Sequence, residues 1–123
     1  QAKFKIVSYA SHAQHPTWFT TAPIEAMNKA LSKAQLKLEQ IDLFEINEAF
    51  AVVALTAMKE LKLDHNKVNI FGGGVSLGHP IGCSGTRIVV TLMTAMEKRS
   101  AKYGMAAICI GGGEALSLIL ERL

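Results

Sequence analysis

Fourteen consecutive residues, Gly72 to Gly85 (Gly-Gly-Gly-Val-Ser-Leu-Gly-His-Pro-Ile-Gly-Cys-Ser-Gly), hold six of the ten glycines of this 123-residue chain. One histidine, one proline and one cysteine lie among them. Glycine accepts backbone conformations and close approaches that a Cβ forbids, so the stretch reads as a tight turn. The apolar run Val68-Asn69-Ile70-Phe71 leads in as a strand. Ile88, Leu92, Ala95 and Met96, at helical spacing, lead out as a helix. Pro80 suits the first helical position, where a missing N–H costs nothing. A strand, a glycine turn and a helix start, with His79 at the junction, form a place for a carbonyl-like or anionic ligand.

The remaining chain supplies the frame. Lys3 to Ala10 alternates and is rich in β-formers, which predicts a strand, and Ser11 to Thr21 reads as a loop. Thr21 caps a helix with Pro23 and Glu25 in its first turn and an apolar stripe of Ile24, Met27, Ala30, Leu31 and Ala34. Ile41 to Ile46 is a second strand. Asn47 and Glu48 open a second helix that runs to Leu61, apolar on every face and so expected to be buried. Met105 to Ile110 is a fourth strand, Gly111-Gly112-Gly113 turns it, and Ala115 to Leu120 is a fifth. The order βαβαβαββ predicts an α/β domain over residues 1–123. Its sheet is mixed and five-stranded, mostly parallel with the last strand antiparallel, and has helices on both faces. Catalytic groups belong at the carboxyl ends of such strands, where Asn47, His79 and Cys109 fall.

Composition removes several classes. Half the residues are hydrophobic and 19% are charged, so a packed core is expected, with apolar surface left over for another domain or subunit. The net charge of +3 is spread along the chain, which argues against a nucleic-acid patch. No apolar run is long enough to span a membrane. Two cysteines without CxxC or zinc spacing predict reduced thiols in a soluble intracellular protein, cytoplasmic or in the mitochondrial matrix of a eukaryote. His12 and His15 lack a third ligand nearby, so no metal is expected. Gly73 to Gly78 has the Gly-x4-Gly spacing, but His79-Pro80 stand where a phosphate loop needs Lys-Ser/Thr, and no G-x-G-x-x-G occurs.

Each remaining candidate has two readings. His79 is a capping histidine or a proton carrier. Asn47 is a helix cap or an amide that holds a water or carbonyl. Cys109 is a small hydrophobe or a thiol beside the exposed N–H groups of a glycine turn, the pairing that acyl transfer uses. Cys83, in a small-residue helix turn, is better suited to close packing than to activation.

Three elements together, Asn47-Glu48-Ala49-Phe50, Gly78-His79-Pro80-Ile81-Gly82-Cys83-Ser84-Gly85 and Cys109-Ile110-Gly111-Gly112-Gly113, resemble the C-terminal half of the thiolases. With Trp18-Phe19-Thr20-Thr21-Ala22-Pro23 near the start, they resemble the acetyl-CoA acetyltransferase type. The resemblance spans essentially the whole chain. It implies a five-layered αβαβα protein of two such halves. It also implies reversible Claisen condensation of two acetyl-CoA molecules through an acyl-cysteine, with no cofactor beyond the coenzyme A thioesters. Carried over, His79 activates the nucleophile and helps form an oxyanion hole, Asn47 holds a water there, Cys109 is the acid/base, and the Gly111 N–H serves a second oxyanion hole. The nucleophilic cysteine belongs to an N-terminal half outside this chain, so the chain alone is expected to be inactive, and the full-length form to be a dimer or tetramer. Glu114, where the family has a small residue, is expected to point away from the second hole. The alternatives are a ketoacyl-synthase-like condensing enzyme, which Cys109 disfavours because those carry histidine or asparagine there, and a non-catalytic coenzyme A-binding or assembly domain.

Overall fold

The computed structural model describes residues 2–123. Its strands are β1 (Phe4–Ala13), β2 (Leu43–Ile46), β3 (Tyr103–Ile110) and β4 (Glu114–Arg122). Its helices are α1 (Ala22–Ala34), α2 (Ala51–Leu61), the single turn α3 (Gly74–Leu77) and α4 (Ser84–Arg99). The strands form one sheet in the order β1-β4-β3-β2. β4 pairs antiparallel with both β1 and β3, whereas β2 pairs parallel with β3. β1, β2 and β3 therefore share a direction and β4 alone opposes them, as the element order predicts. Because the β3–β4 hairpin inserts β4 between β1 and β3, only one hydrogen-bonded pair of these strands is parallel.

The sheet has four strands, not five. Val68 makes a single bridge to Phe44, and the chain then leaves the sheet. Asn69 is the reason. It is left-handed (φ 48°), which ends extended backbone, and its side-chain amide takes over the pairing. Its Oδ1 accepts from the Ile46 N–H at 2.8 Å, and its Nδ2 donates to the Ile46 carbonyl at 2.9 Å. The outward backbone groups of Ile46 are satisfied by one side chain instead of a strand.

Two helix starts also differ from the sequence reading. α2 begins at Ala51 rather than Glu48, because the Glu48 carboxylate is bonded to Asn69 Nδ2 and to the Val75 N–H. α4 begins at Ser84 rather than Pro80, since the Pro80 carbonyl accepts from both Cys83 and Ser84 in a preceding turn. Thr21 stands at the N-cap of α1, but its hydroxyl bonds Trp18 O and Gln14 Nε2 rather than the helix.

α1 and α2 cover one face of the sheet through Met27, Ala30, Val53, Ala57, Met105 and Ile119. α4 covers part of the other through Ile88, Leu92, Met96, Ala106 and Leu120. Each fully buried Leu or Ile contributes about 1.5–3 kcal/mol. α2 is not buried all round: Val52 is 49% and Leu55 58% exposed. On the α4 side, an apolar groove of about 220 Å³ lies open beside Ile88, Val89, Ile108, Leu116 and Leu118. This is the surplus apolar surface that the composition implies.

The β3–β4 turn needs glycine at two places. Gly112 and Gly113 both have φ 95°, and a Cβ on Gly113 would collide with the Gln14 carbonyl oxygen. Gly113→Ala is expected to cost about 2 kcal/mol or more, whereas Gly82→Ala, with open space around it, is expected to stay within about 0.5 kcal/mol. Denaturant unfolding of the two variants checks this.

Candidate active site

Asn47 follows the last residue of β2, and its N–H donates to Ala107 O of β3 at 2.9 Å. The residue is fully buried. Its Nδ2 lies 3.4 Å from His79 Nε2, and its Oδ1 has no hydrogen-bond partner among the described residues. A buried, unpartnered carbonyl oxygen beside a histidine is a place where an incoming donor can bind.

His79 is delivered by the glycine turn. α3 ends at Gly78 with φ 96°, a conformation open to glycine, and the next residue turns its ring toward Asn47. Its Nδ1 is 2.5 Å from the buried Ser84 Oγ, and that hydroxyl also donates to Pro80 O at 3.1 Å. The serine has one proton. With that proton on Pro80 O, Ser84 accepts from Nδ1–H, the tautomer in which Nε2 can also accept from Asn47 Nδ2. In that tautomer the basic nitrogen is the one facing Asn47, while the turn before α4 holds the ring.

Cys109 is the penultimate residue of β3, buried, two residues beyond the carbonyl that receives Asn47. Burial pushes its thiol pKa up. No hydrogen bond joins its side chain to Asn47 or His79 among the described residues. Gly111 is exposed, has no positive φ, and a Cβ there would meet nothing within 4 Å. Of the three turn glycines it is the one that the fold does not require. Cys83 is exposed at the N-cap of α4. Glu114 is exposed and shares a surface groove with His12 and Lys29. His12 bonds Gln14 and Lys29, and His15 accepts from the Thr17 N–H. Among the described residues no group of three His, Cys, Asp or Glu side chains could hold a metal ion, and no helix is long and apolar enough to cross a membrane.

Two polar residues near the site escape the sequence reading. Glu45, on β2, is 1% exposed and lies 3.4 Å from Arg87 Nη1 on α4. Glu45 Oε1 and Arg87 Nε and Nη2 have no further partners among the described residues. Burial outweighs the Arg87 charge, and with the nearby Glu48 it pushes the Glu45 carboxyl from 4.5 up to about 7. Nothing local marks the pair, since the two residues are 42 apart in sequence.

A family model, "Thiolase, C-terminal domain", matches residues 1–122. The chain belongs to the thiolase family. It is 56% identical over 97% of its length to a probable acetyl-CoA acetyltransferase of Dictyostelium discoideum, and 54% identical over 97% to acetyl-CoA acetyltransferase 2 of Arabidopsis thaliana. It covers only 29% and 30% of those two proteins. Among solved structures, the acetyl-CoA acetyltransferase of Bacillus anthracis superposes with a TM-score of 0.97 at 45% identity over the whole chain, which covers 31% of that protein. A thiolase of Ascaris suum in complex with coenzyme A gives 0.95 at 49% identity, again over the whole chain and 32% of that protein.

Two measurements test this environment. With iodoacetamide at neutral pH, Cys83 of the folded protein is expected to label readily and Cys109 at least about tenfold more slowly; mass spectrometry of the labelled peptides checks it. The second concerns pH. A carboxyl whose folded pKa is raised binds its proton more tightly when folded, so its contribution to stability falls as pH rises from 4.5 to about 7. Glu45→Gln is expected to remove that slope, up to about 3 kcal/mol between pH 5 and 8, in unfolding curves of both proteins.

Proposed function

We propose that this chain is the C-terminal catalytic half of an acetyl-CoA C-acetyltransferase. The enzyme condenses two acetyl-CoA molecules reversibly to acetoacetyl-CoA and coenzyme A. The observation that carries the reading is the Asn47–His79–Ser84 arrangement, an imidazole nitrogen and a buried free carbonyl oxygen side by side at the end of β2. The identity to acetyl-CoA acetyltransferases supports the choice of substrate class.

In this proposal His79 Nε2 takes the proton of a cysteine thiol supplied by the N-terminal portion of the protein. The thiolate attacks acetyl-CoA, the acetyl group becomes a cysteine thioester, and coenzyme A leaves with the Cys109 proton, so that His79 stays protonated and Cys109 becomes a thiolate. A second acetyl-CoA then loses a methyl proton to Cys109, which acts as its thiolate. The resulting enolate attacks the acyl-cysteine, forming acetoacetyl-CoA and releasing the nucleophile as thiolate. The charge on each thioester oxygen needs fixed donors. His79 with a water on Asn47 serves one oxyanion, and the Gly111 N–H the other. Two features support the Cys109 and Gly111 roles. A raised thiol pKa makes the corresponding thiolate the stronger base. An unneeded glycine leaves open space at the turn beyond the thiol. The partner of the open apolar groove and of the α2 face is, in this reading, the nucleophile-bearing half, and the full-length protein is a homo-oligomer.

In the full-length enzyme, His79→Ala and Cys109→Ala are each expected to lower the rate of acetoacetyl-CoA thiolysis by at least about 10². The isolated 123-residue chain is expected to show none. Near-wild-type rates in either variant, or turnover by the chain alone, would sink the assignment.

A further inference from the structure

Glu48 and Asn69 carry no chemistry in the proposed reaction, yet they occupy the junction between its two best-placed groups. Asn69 is held in the left-handed region, and its amide spends three bonds on β2 and its extension: the Ile46 N–H, the Ile46 carbonyl and Glu48 Oε1. Ile46 immediately precedes Asn47. The other Glu48 oxygen, Oε2, accepts from the Val75 N–H at 3.0 Å, inside the glycine turn that ends in His79. Two of the glycines are shaped to Glu48, one to its carboxylate and one to its backbone. A Cβ on Gly73 would lie 2.5 Å from Glu48 Cδ, and one on Gly74 would lie 2.6 Å from Glu48 O. One continuous set of hydrogen bonds therefore runs from the backbone beside Asn47, through the Asn69 amide and the Glu48 carboxylate, to the backbone that carries His79.

We infer that Glu48 and Asn69 are positioning residues that hold Asn47 and His79 in register. The inference rests on the proposed roles of those two groups. The Asn47–His79 contact is long, at 3.4 Å, so it does not fix the pair by itself; the clamp behind it does. Displacing a reacting group by about 1 Å costs on the order of 10² in rate, so small shifts in the turn reach the chemistry.

The test uses the full-length enzyme and acetoacetyl-CoA thiolysis. Asn69→Asp keeps the shape and the Ile46 N–H acceptor but removes the donor to Glu48 and to Ile46 O. It is expected to lower kcat by about tenfold or more while KM stays within about twofold. Glu48→Gln leaves Asn69 on Ile46 but turns one of the two Glu48 acceptors, toward Asn69 Nδ2 or the Val75 N–H, into a donor that breaks the chain of bonds, and it is expected to show the same split. Combining the two substitutions restores a donor–acceptor pair: the amide introduced at position 48 donates to the carboxylate introduced at position 69, and its oxygen accepts from the Val75 N–H. The double variant is expected to regain at least about threefold in kcat over Asn69→Asp alone. If Asn69→Asp does not fold, the kcat–KM split of Glu48→Gln decides. Unchanged kcat in both single variants, or losses that track melting temperature with no recovery in the double variant, overturns the inference. Wild-type turnover that survives His79→Ala overturns the functional reading, and the positioning claim falls with it. Turnover lost in His79→Ala but kept in Asn69→Asp and Glu48→Gln overturns the positioning claim alone.

Discussion

One side-chain amide replaces a strand in this domain. Asn69 satisfies both outward backbone groups of Ile46, and the end of β2 is thereby paired on each side, by β3 on one and by Asn69 on the other. An unpaired backbone group at that depth costs about 1–3 kcal/mol. Meeting the need with a side chain frees the main chain to turn at once. The left-handed Asn69 and the glycines after it then carry the chain over the strand end and not beyond it. His79 comes back onto Asn47 because the chain turns here.

The same junction explains why its neighbours are so restricted. Gly73 and Gly74 lack a Cβ because Glu48 lies where one would stand. Ser84 is fully buried because its hydroxyl serves His79 and Pro80 at once. Glu45 and Arg87 add a second tie between β2 and α4, a few residues from Asn47 and from Ser84 respectively. A buried ion pair contributes little net stability, but breaking one is costly, so it limits how the two elements slide past each other. Polar contacts thus arrange the strand ends, while apolar burial on both faces of the sheet supplies the stability.

Much of the frame is legible in residue order. Alternating β-rich and helical segments predict an α/β sheet with the last strand reversed, because direction follows from connection type. The apolar excess predicts uncovered apolar surface, which is found at Val52 and Leu55 on the outside of α2 and, on the opposite side of the sheet, in the groove at Leu116 and Leu118. The motifs around Asn47, His79 and Cys109 are visible because each pairs a reactive side chain with glycine or a strand end. The fifth strand fails to form for a physical reason. Val68 to Phe71 has strand composition, and composition does not reveal that Asn69 spends its amide on Ile46. The helix starts expected at Glu48 and Pro80 shift for a similar reason, since capping propensity competes with other partners, and those of Glu48 lie more than twenty residues away.

By itself the sequence determined the order of the elements, the apolar faces and the three clusters of reactive residues, because periodicity, glycine placement and side-chain chemistry are local properties. Only the tertiary structure decided which of those residues meet. It set β4 between β1 and β3, brought His79 Nε2 to Asn47 across 32 residues, placed His79 Nδ1 against Ser84, and buried Glu45 against Arg87. Most of these depend on contacts between groups far apart in the chain. The glycine turn from Gly72 onward is local in composition, but its placement comes from the carboxylate of Glu48 and the amide of Asn69, which hold it against the end of β2.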